Sequence, residues 1–177
     1  MICFLDFETT GIDVFKDFPI EIGAILVNDK LEINEEFHSI INPNRKRKFK
    51  ASATKIHGIK SVEELDMYPK SDEVINSFFD KMGTNYCFCS WNISFDVTFF
   101  RRLCHQNNIM RKYNQINYRH IDLQSIMFYY NKINNTGIYK NSLDNSCNYF
   151  GIKRSTEHNA KEDVKLLLEV YRRILVK

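Results

Sequence analysis

The stretch ICFLDFETTG, residues 2–11, decides the fold. Side chains alternate along a strand, so Ile2, Phe4, Asp6 and Glu8 share one face while Cys3, Leu5 and Phe7 share the other. Both faces are apolar until Asp6, the pattern of a central strand covered on two sides. Two carboxylates on one face at the end of such a strand repel each other and lose hydration. A buried carboxylate takes a proton or finds a cation, and a divalent metal held by oxygen ligands is one remedy. The plainer alternative is a strand running out into a solvated turn at Thr9-Thr10-Gly11.

Composition narrows the setting. A chain of 177 residues, 44% hydrophobic and 27% charged, suits one domain, 1–177, with a single filled core. Its five cysteines include no Cys-x-x-Cys pair, so free thiols in a reducing, cytoplasmic compartment are expected rather than a zinc ribbon. No apolar run reaches membrane-spanning length and no basic leader precedes the first strand, so no membrane partner is expected. A net charge of +3 by itself implies no nucleic-acid role. Its distribution says more: Arg45-Lys46-Arg47-Lys48 with Lys50 forms a compact basic run, with smaller pairs at Arg101-Arg102, Arg111-Lys112 and Lys153-Arg154. Basic segments beside an acidic metal site suit a polyphosphate ligand; a solvated loop and a nuclear-import signal are the other readings of the run.

Working outward, residues 19–28 and 31–42 read as second and third strands in an antiparallel meander. A short helix is expected over 51–56, closed by His57-Gly58. The stripe Val74, Ile75, Phe78, Phe79, Met82 predicts a helix over 71–82 ending at Gly83. Residues 86–91 read as a buried strand, 94–105 as a helix, 118–121 as a fifth strand ending at Asp122, and 123–130 as a helix. Ser142 is placed to cap a helix running to Phe150, and the last helix covers 159–175. Three strands followed by alternating helices and strands make an α/β domain with a mixed central sheet.

Two further acids lie where a metal site needs them. Asp96 is on the first turn of its helix, in line with Phe99, Phe100 and Leu103, and Asp163 lies one turn before Leu167 in the last stripe. Each alone is as well explained by the helix dipole. His158 precedes a capping-box-like start, Asn159-x-x-Glu162, and histidine titrates where a general base on water is useful.

These residues carry a resemblance. Asp6-Phe7-Glu8-Thr9-Thr10-Gly11, Trp91-Asn92-Ile93-Ser94-Phe95-Asp96 and His158-Asn159-Ala160-Lys161-Glu162-Asp163 resemble the three motifs of the DEDDh exonucleases, in order over almost the whole chain. Residues 53–59 and 141–151 are similar to two lesser family segments, and the spacing is nearest to the DnaQ-like proofreading domains of bacterial DNA polymerase III. Trp91 stands where the family commonly has His or a small residue. The resemblance implies a ribonuclease-H-like fold: a mixed five-stranded sheet, its first three strands an antiparallel meander, flanked by helices. It implies metal-dependent 3′-to-5′ hydrolysis of nucleic acid with release of 5′-mononucleotides, and two Mg²⁺ or Mn²⁺ ions about 4 Å apart between the carboxylates.

By position, Asp6 would bridge both ions, Glu8 and Asp163 would complete the first, Asp96 would act on the second directly or through water, and His158 would take the proton from the attacking water. Thr9, Thr10, His57, Asn92 and Phe95 would meet or support the terminal nucleotide. The implied partner is nucleic acid with a free 3′ end, single-stranded, with DNA favoured over RNA. The sequence stops with the last helix, where polymerase-bound members of the family carry a joining tail, so a DNA polymerase stands as an open partner. An RNA-trimming or oligoribonuclease-like enzyme is the nearest alternative. An inactive nucleic-acid-binding or polymerase-docking module, which would have lost an acid or the histidine, is the next.

Overall fold

A computed structural model describes residues 1–43, 61, 63–138, 140–154 and 159–175. Strands β1 (Ile2–Thr9), β2 (Pro19–Val27), β3 (Ile33–Ile40), β4 (Cys87–Ser90) and β5 (Ile121–Asp122) form one five-stranded sheet in the order β3-β2-β1-β4-β5. The meander β1-β2-β3 is antiparallel, whereas β1 pairs with β4, and β4 with β5, in parallel. This is the mixed sheet expected, with β1 at its centre. The fifth strand is shorter than the sequence suggests: pairing is confined to Ile121 and Asp122, while Tyr118 is exposed and adds no buried face to the sheet.

The two faces of β1 pack as its alternation requires. Cys3, Leu5 and Phe7 lie under α1 (Ser71–Met82) and α2 (Ile93–Gln106), with Phe78, Phe79, Phe88 and Phe100 among their neighbours. The Phe100 ring lies 5.0 Å from that of Phe78 and 4.9 Å from that of Phe88, in edge-on contacts worth about 0.5–1.5 kcal/mol each beyond simple burial. That cluster fixes α2 one turn below Asp96. On the other face, Ile2 and Phe4 meet α4 (Leu123–Asn134), α5 (Leu143–Tyr149) and α6 (Ala160–Leu175) through Leu123, Met127, Cys147, Val164 and Leu167. A short helix, α3 (Met110–Tyr113), and a single 3₁₀ turn at Glu63–Leu65 were not marked by any periodicity.

Helix ends follow the local chemistry. Helix α1 has the bounds its stripe predicts, and Gly83 ends it at φ 66°, a conformation a side chain disfavours. Ser142 caps α5 by accepting from the Asn145 N–H, and Asn159 accepts from the Glu162 N–H at the start of α6, 2.8 Å away. All five cysteines are free thiols, four of them buried; burial pushes Cys104 up to about 12. No helix among the described residues is long and apolar enough to cross a membrane. The predicted helix over 51–56, the basic run 45–50, His57 and His158 lie outside the described residues.

Candidate active site

The acids gather at the carboxyl ends of the parallel neighbours β1 and β4, the usual place for a site in an open α/β sheet. Asp6 and Glu8 project from the face of β1 that α6 covers. Directly across β2 from Asp6 stands Gly23, and a Cβ there would lie 2.1 Å from the Ala160 carbonyl oxygen. The missing side chain lets the first turn of α6 rest on the sheet, which carries Asp163 to the two strand acids. One carboxylate oxygen from each of Asp6, Glu8 and Asp163 lies within 4.8 Å of the others.

Asp96 is held differently. Its Oδ1 accepts from the Phe7 backbone N–H (3.1 Å) and its Oδ2 from the Ser90 hydroxyl (2.5 Å), which ties the start of α2 to both β1 and β4. Asp122, at the end of β5, steadies the same turn by accepting from the Ile93 N–H. Asp96 therefore stands beside the three-acid group, close enough for its charge to act on Asp6, but outside the set whose oxygens converge.

The electrostatics are those of a cation site. Burial, and then the charges of Asp96, Asp163, Glu8 and Glu21, push the Asp6 carboxyl well above the usual range. Burial followed by Asp163 and Glu21 pushes Glu8 up to about 8, with Arg154 pulling the other way. Burial raises Asp96 to about 7, against the hydrogen bonds from Ser90 and Phe7. A divalent ion would relieve this repulsion, and hard oxygen donors at this spacing fit Mg²⁺ or Mn²⁺. The donor set fits the ions that the motifs imply.

Two residues of this neighbourhood escaped the sequence reading. Glu21, 6% exposed, sits opposite Glu8 in the β1–β2 register and is paired with His38 Nε2 at 2.8 Å. A glutamate inside the fully buried run PIEIGAILV was the available signal. Arg154, noted only as half of a basic pair, donates from Nη2 to both oxygens of Asp163 (2.8 and 2.7 Å) and from Nη1 to Asp144. Its charge is spent on a carboxylate of the site rather than offered to solvent.

The remaining candidates divide. Thr10 is fully buried: its Oγ1 accepts from the Phe18 N–H (2.9 Å), so the hydroxyl braces the loop after β1. Thr9, 7% exposed, donates to the Gly11 carbonyl. Phe95 is half-buried against Phe99, 4.8 Å between rings, and Asn92 is exposed at the head of α2. Trp91 packs partly buried in the cluster beneath the Ile2–Phe4 face.

Comparison with known proteins places the chain. The RNase_T exonuclease family model matches residues 3–171. The chain belongs to this exonuclease family. Among relatives, DNA polymerase III subunit epsilon of Buchnera aphidicola is 35% identical, covering 94% of this chain and 67% of the relative. The same subunit of Rickettsia prowazekii is 33% identical, covering 94% and 70%. Exonuclease I of E. coli, solved with a dT13 oligonucleotide, superposes with a TM-score of 0.85 at 19% identity, over 99% of this chain and 41% of that one. The chain thus spans about two-fifths of that exonuclease I, and the likeness shows the shared DnaQ-like, ribonuclease-H-like fold. As a member of the exonuclease family the chain is a 3′-to-5′ exonuclease, a phosphodiester hydrolase.

Proposed function

We propose that the chain removes nucleotides from the 3′ end of single-stranded DNA in a reaction that needs two divalent ions, with His158 as the general base. The convergence of Asp6, Glu8 and Asp163 within 4.8 Å, with Asp96 alongside, carries this reading. DNA rather than RNA is favoured because the relatives are DNA polymerase subunits and the E. coli structure holds a DNA strand. The same relatives support a polymerase as partner.

Within this reading Asp6, Glu8 and Asp163 would hold the first ion, and Asp6 with Asp96 would serve the second. When bound, such ions offset phosphate charge, acidify a water and stabilise the leaving oxygen. The chain does the positioning. Strand β1 fixes Asp6 and Glu8 relative to each other, Gly23 sets the height of Asp163, and Ser90 and the Phe7 N–H orient Asp96. His158, five residues before Asp163, takes the proton from the attacking water. The turn after Glu8, braced by Thr9 and Thr10, borders the 3′-terminal nucleotide, with Asn92 and Phe95 across from it.

The test is an assay with 5′-labelled single-stranded DNA and the matched RNA in Mg²⁺ or Mn²⁺. Stepwise shortening of the DNA, abolished by chelator and by Asp6→Ala, is expected. Equal activity of wild type and Asp6→Ala would end the proposal, and faster shortening of RNA would reassign the substrate through its 2′-OH.

A further inference from the structure

The loop joining β1 to β2 is built as a rigid platform. Asp17, fully buried, accepts from the Asp13 N–H (2.9 Å), and the Lys16 and Asp17 N–H groups donate to the Asp13 carbonyl (2.9 and 2.7 Å). Thr10 and Phe18 close the loop base through a backbone hydrogen bond of 2.9 Å. From below, Arg102 of α2 donates to the carbonyls of Val14 and Asp17 and lies 4.8 Å from the centre of the Phe18 ring. A loop pinned at so many points nevertheless presents Phe15, 89% exposed, to solvent. Ile12 of the same loop is 81% exposed, so the platform holds two apolar side chains in water rather than a single scattered one, as a contact surface does.

Beside Phe15 lies a cleft of about 580 Å³ between this loop and α2, bordered by Val14, Phe15, Thr98, Arg101, His105 and Gln106. Thr98, Arg101 and His105 fall at i, i+3 and i+7, on one exposed stripe of α2. Among the described residues, no carboxylate borders the cleft. The helix carrying this stripe also carries Asp96, and His105 stands nine residues, about 13 Å of helix, beyond it. An apolar ring over a cleft edged by cationic and hydroxyl groups matches a nucleobase with its phosphate.

We infer that this cleft is a subsite for a nucleotide upstream of the 3′ end: its base stacks on Phe15 against Val14, and its phosphate lies against Arg101 and His105. The inference rests on the exonuclease reading. Stacking on an aromatic ring tolerates any base, which suits an enzyme that moves along a strand. A substrate too short to reach the cleft gains nothing from it.

The experiment measures kcat and KM in Mn²⁺ for a dithymidine dinucleotide and for an oligothymidylate of about eight nucleotides, within the usual site size for single strands. It also measures anisotropy-detected binding of the longer strand in chelator. Phe15→Ala is expected to raise KM and weaken binding of the longer strand by about 5- to 30-fold, with kcat and dinucleotide turnover within about 2-fold of wild type. Phe15→Trp is expected to restore wild-type values, and Arg101→Ala to reduce the salt slope of binding by about 1. Equal losses on both lengths, or none on either, would overturn the subsite. If wild type bound the long strand yet hydrolysed neither length, the exonuclease reading would fail, while Phe15→Ala would still decide the subsite by anisotropy.

Discussion

The acids borne by the strand and those borne by the helices are set in place by different physics. Asp6 and Glu8 ride on β1, whose register is locked by β2 on one side and β4 on the other, so their spacing follows from the pleat alone. Asp96 and Asp163 reach the same place by tertiary devices: two hydrogen bonds for the first, a missing side chain and an arginine for the second. Strand-borne ligands are a local property of sequence. Helix-borne ligands belong to the packing, and the site is only as good as its weaker half.

That contrast breaks most visibly at Gly23. Gly23→Ala drives a Cβ into the backbone of Ala160, which no rotamer can relieve, so α6 must lift. A loss of about 3 kcal/mol in denaturant stability is expected, with Mn²⁺ affinity falling further than the fold does, because Asp163 moves while Asp6 and Glu8 stay. Unchanged Mn²⁺ affinity in a folded Gly23→Ala protein would show that Asp163 is not needed.

The histidine should separate chemistry from assembly. His158→Gln is expected to lower kcat by about 10²-fold or more while Mn²⁺ binding stays within about 2-fold. Steady-state kinetics paired with calorimetry read both quantities, and a parallel loss of metal binding would contradict the base assignment.

The pH dependence probes the crowding of the acids. Without metal, Glu8 at about 8 and Asp96 at about 7 are raised above their unfolded values, so the folded state binds more protons across this interval. Stability is therefore present at acid pH and falls as pH rises from about 4 through about 8. Asp163→Asn removes the charge that, after burial, raises Glu8 most, and should flatten that fall. Thermal melts in chelator across this range check it; stability rising with pH would refute the account of the site as an unrelieved anionic cluster.

The smallest effect is expected at Arg154. Its grip on both oxygens of Asp163, anchored by Asp144, orients a ligand from behind. Arg154→Met should weaken Mn²⁺ binding about 10-fold, with Lys recovering charge but not the fork. Tighter binding in Arg154→Met would instead make the guanidinium a competitor of the ion.

The same contrast explains what could be read in the sequence. The two faces of β1, the bounds of α1, and the caps Ser142 and Asn159 were legible because each depends on residues within a turn or a pleat of one another. The stripes of α2 and α6 correctly placed Asp96 and Asp163 facing inward, and both are buried. Gly23 gave no such sign, since only the approach of a helix more than a hundred residues away makes its missing Cβ matter. Arg102 and Arg154 read as members of basic pairs suited to a polyphosphate, yet one is folded under a loop and the other onto an acid. Glu21 became part of the site's electrostatics only when the β1–β2 register set it against Glu8.

The most direct test of the joined halves is a Mn²⁺ titration followed by electron paramagnetic resonance, near neutral pH, on wild type, Glu8→Gln and Asp163→Asn. The account predicts saturable binding in wild type and a loss of about 10-fold or more in each variant. The double variant should lose less than the two losses combined, because both acids hold one ion. Binding by Asp163→Asn indistinguishable from wild type would contradict it.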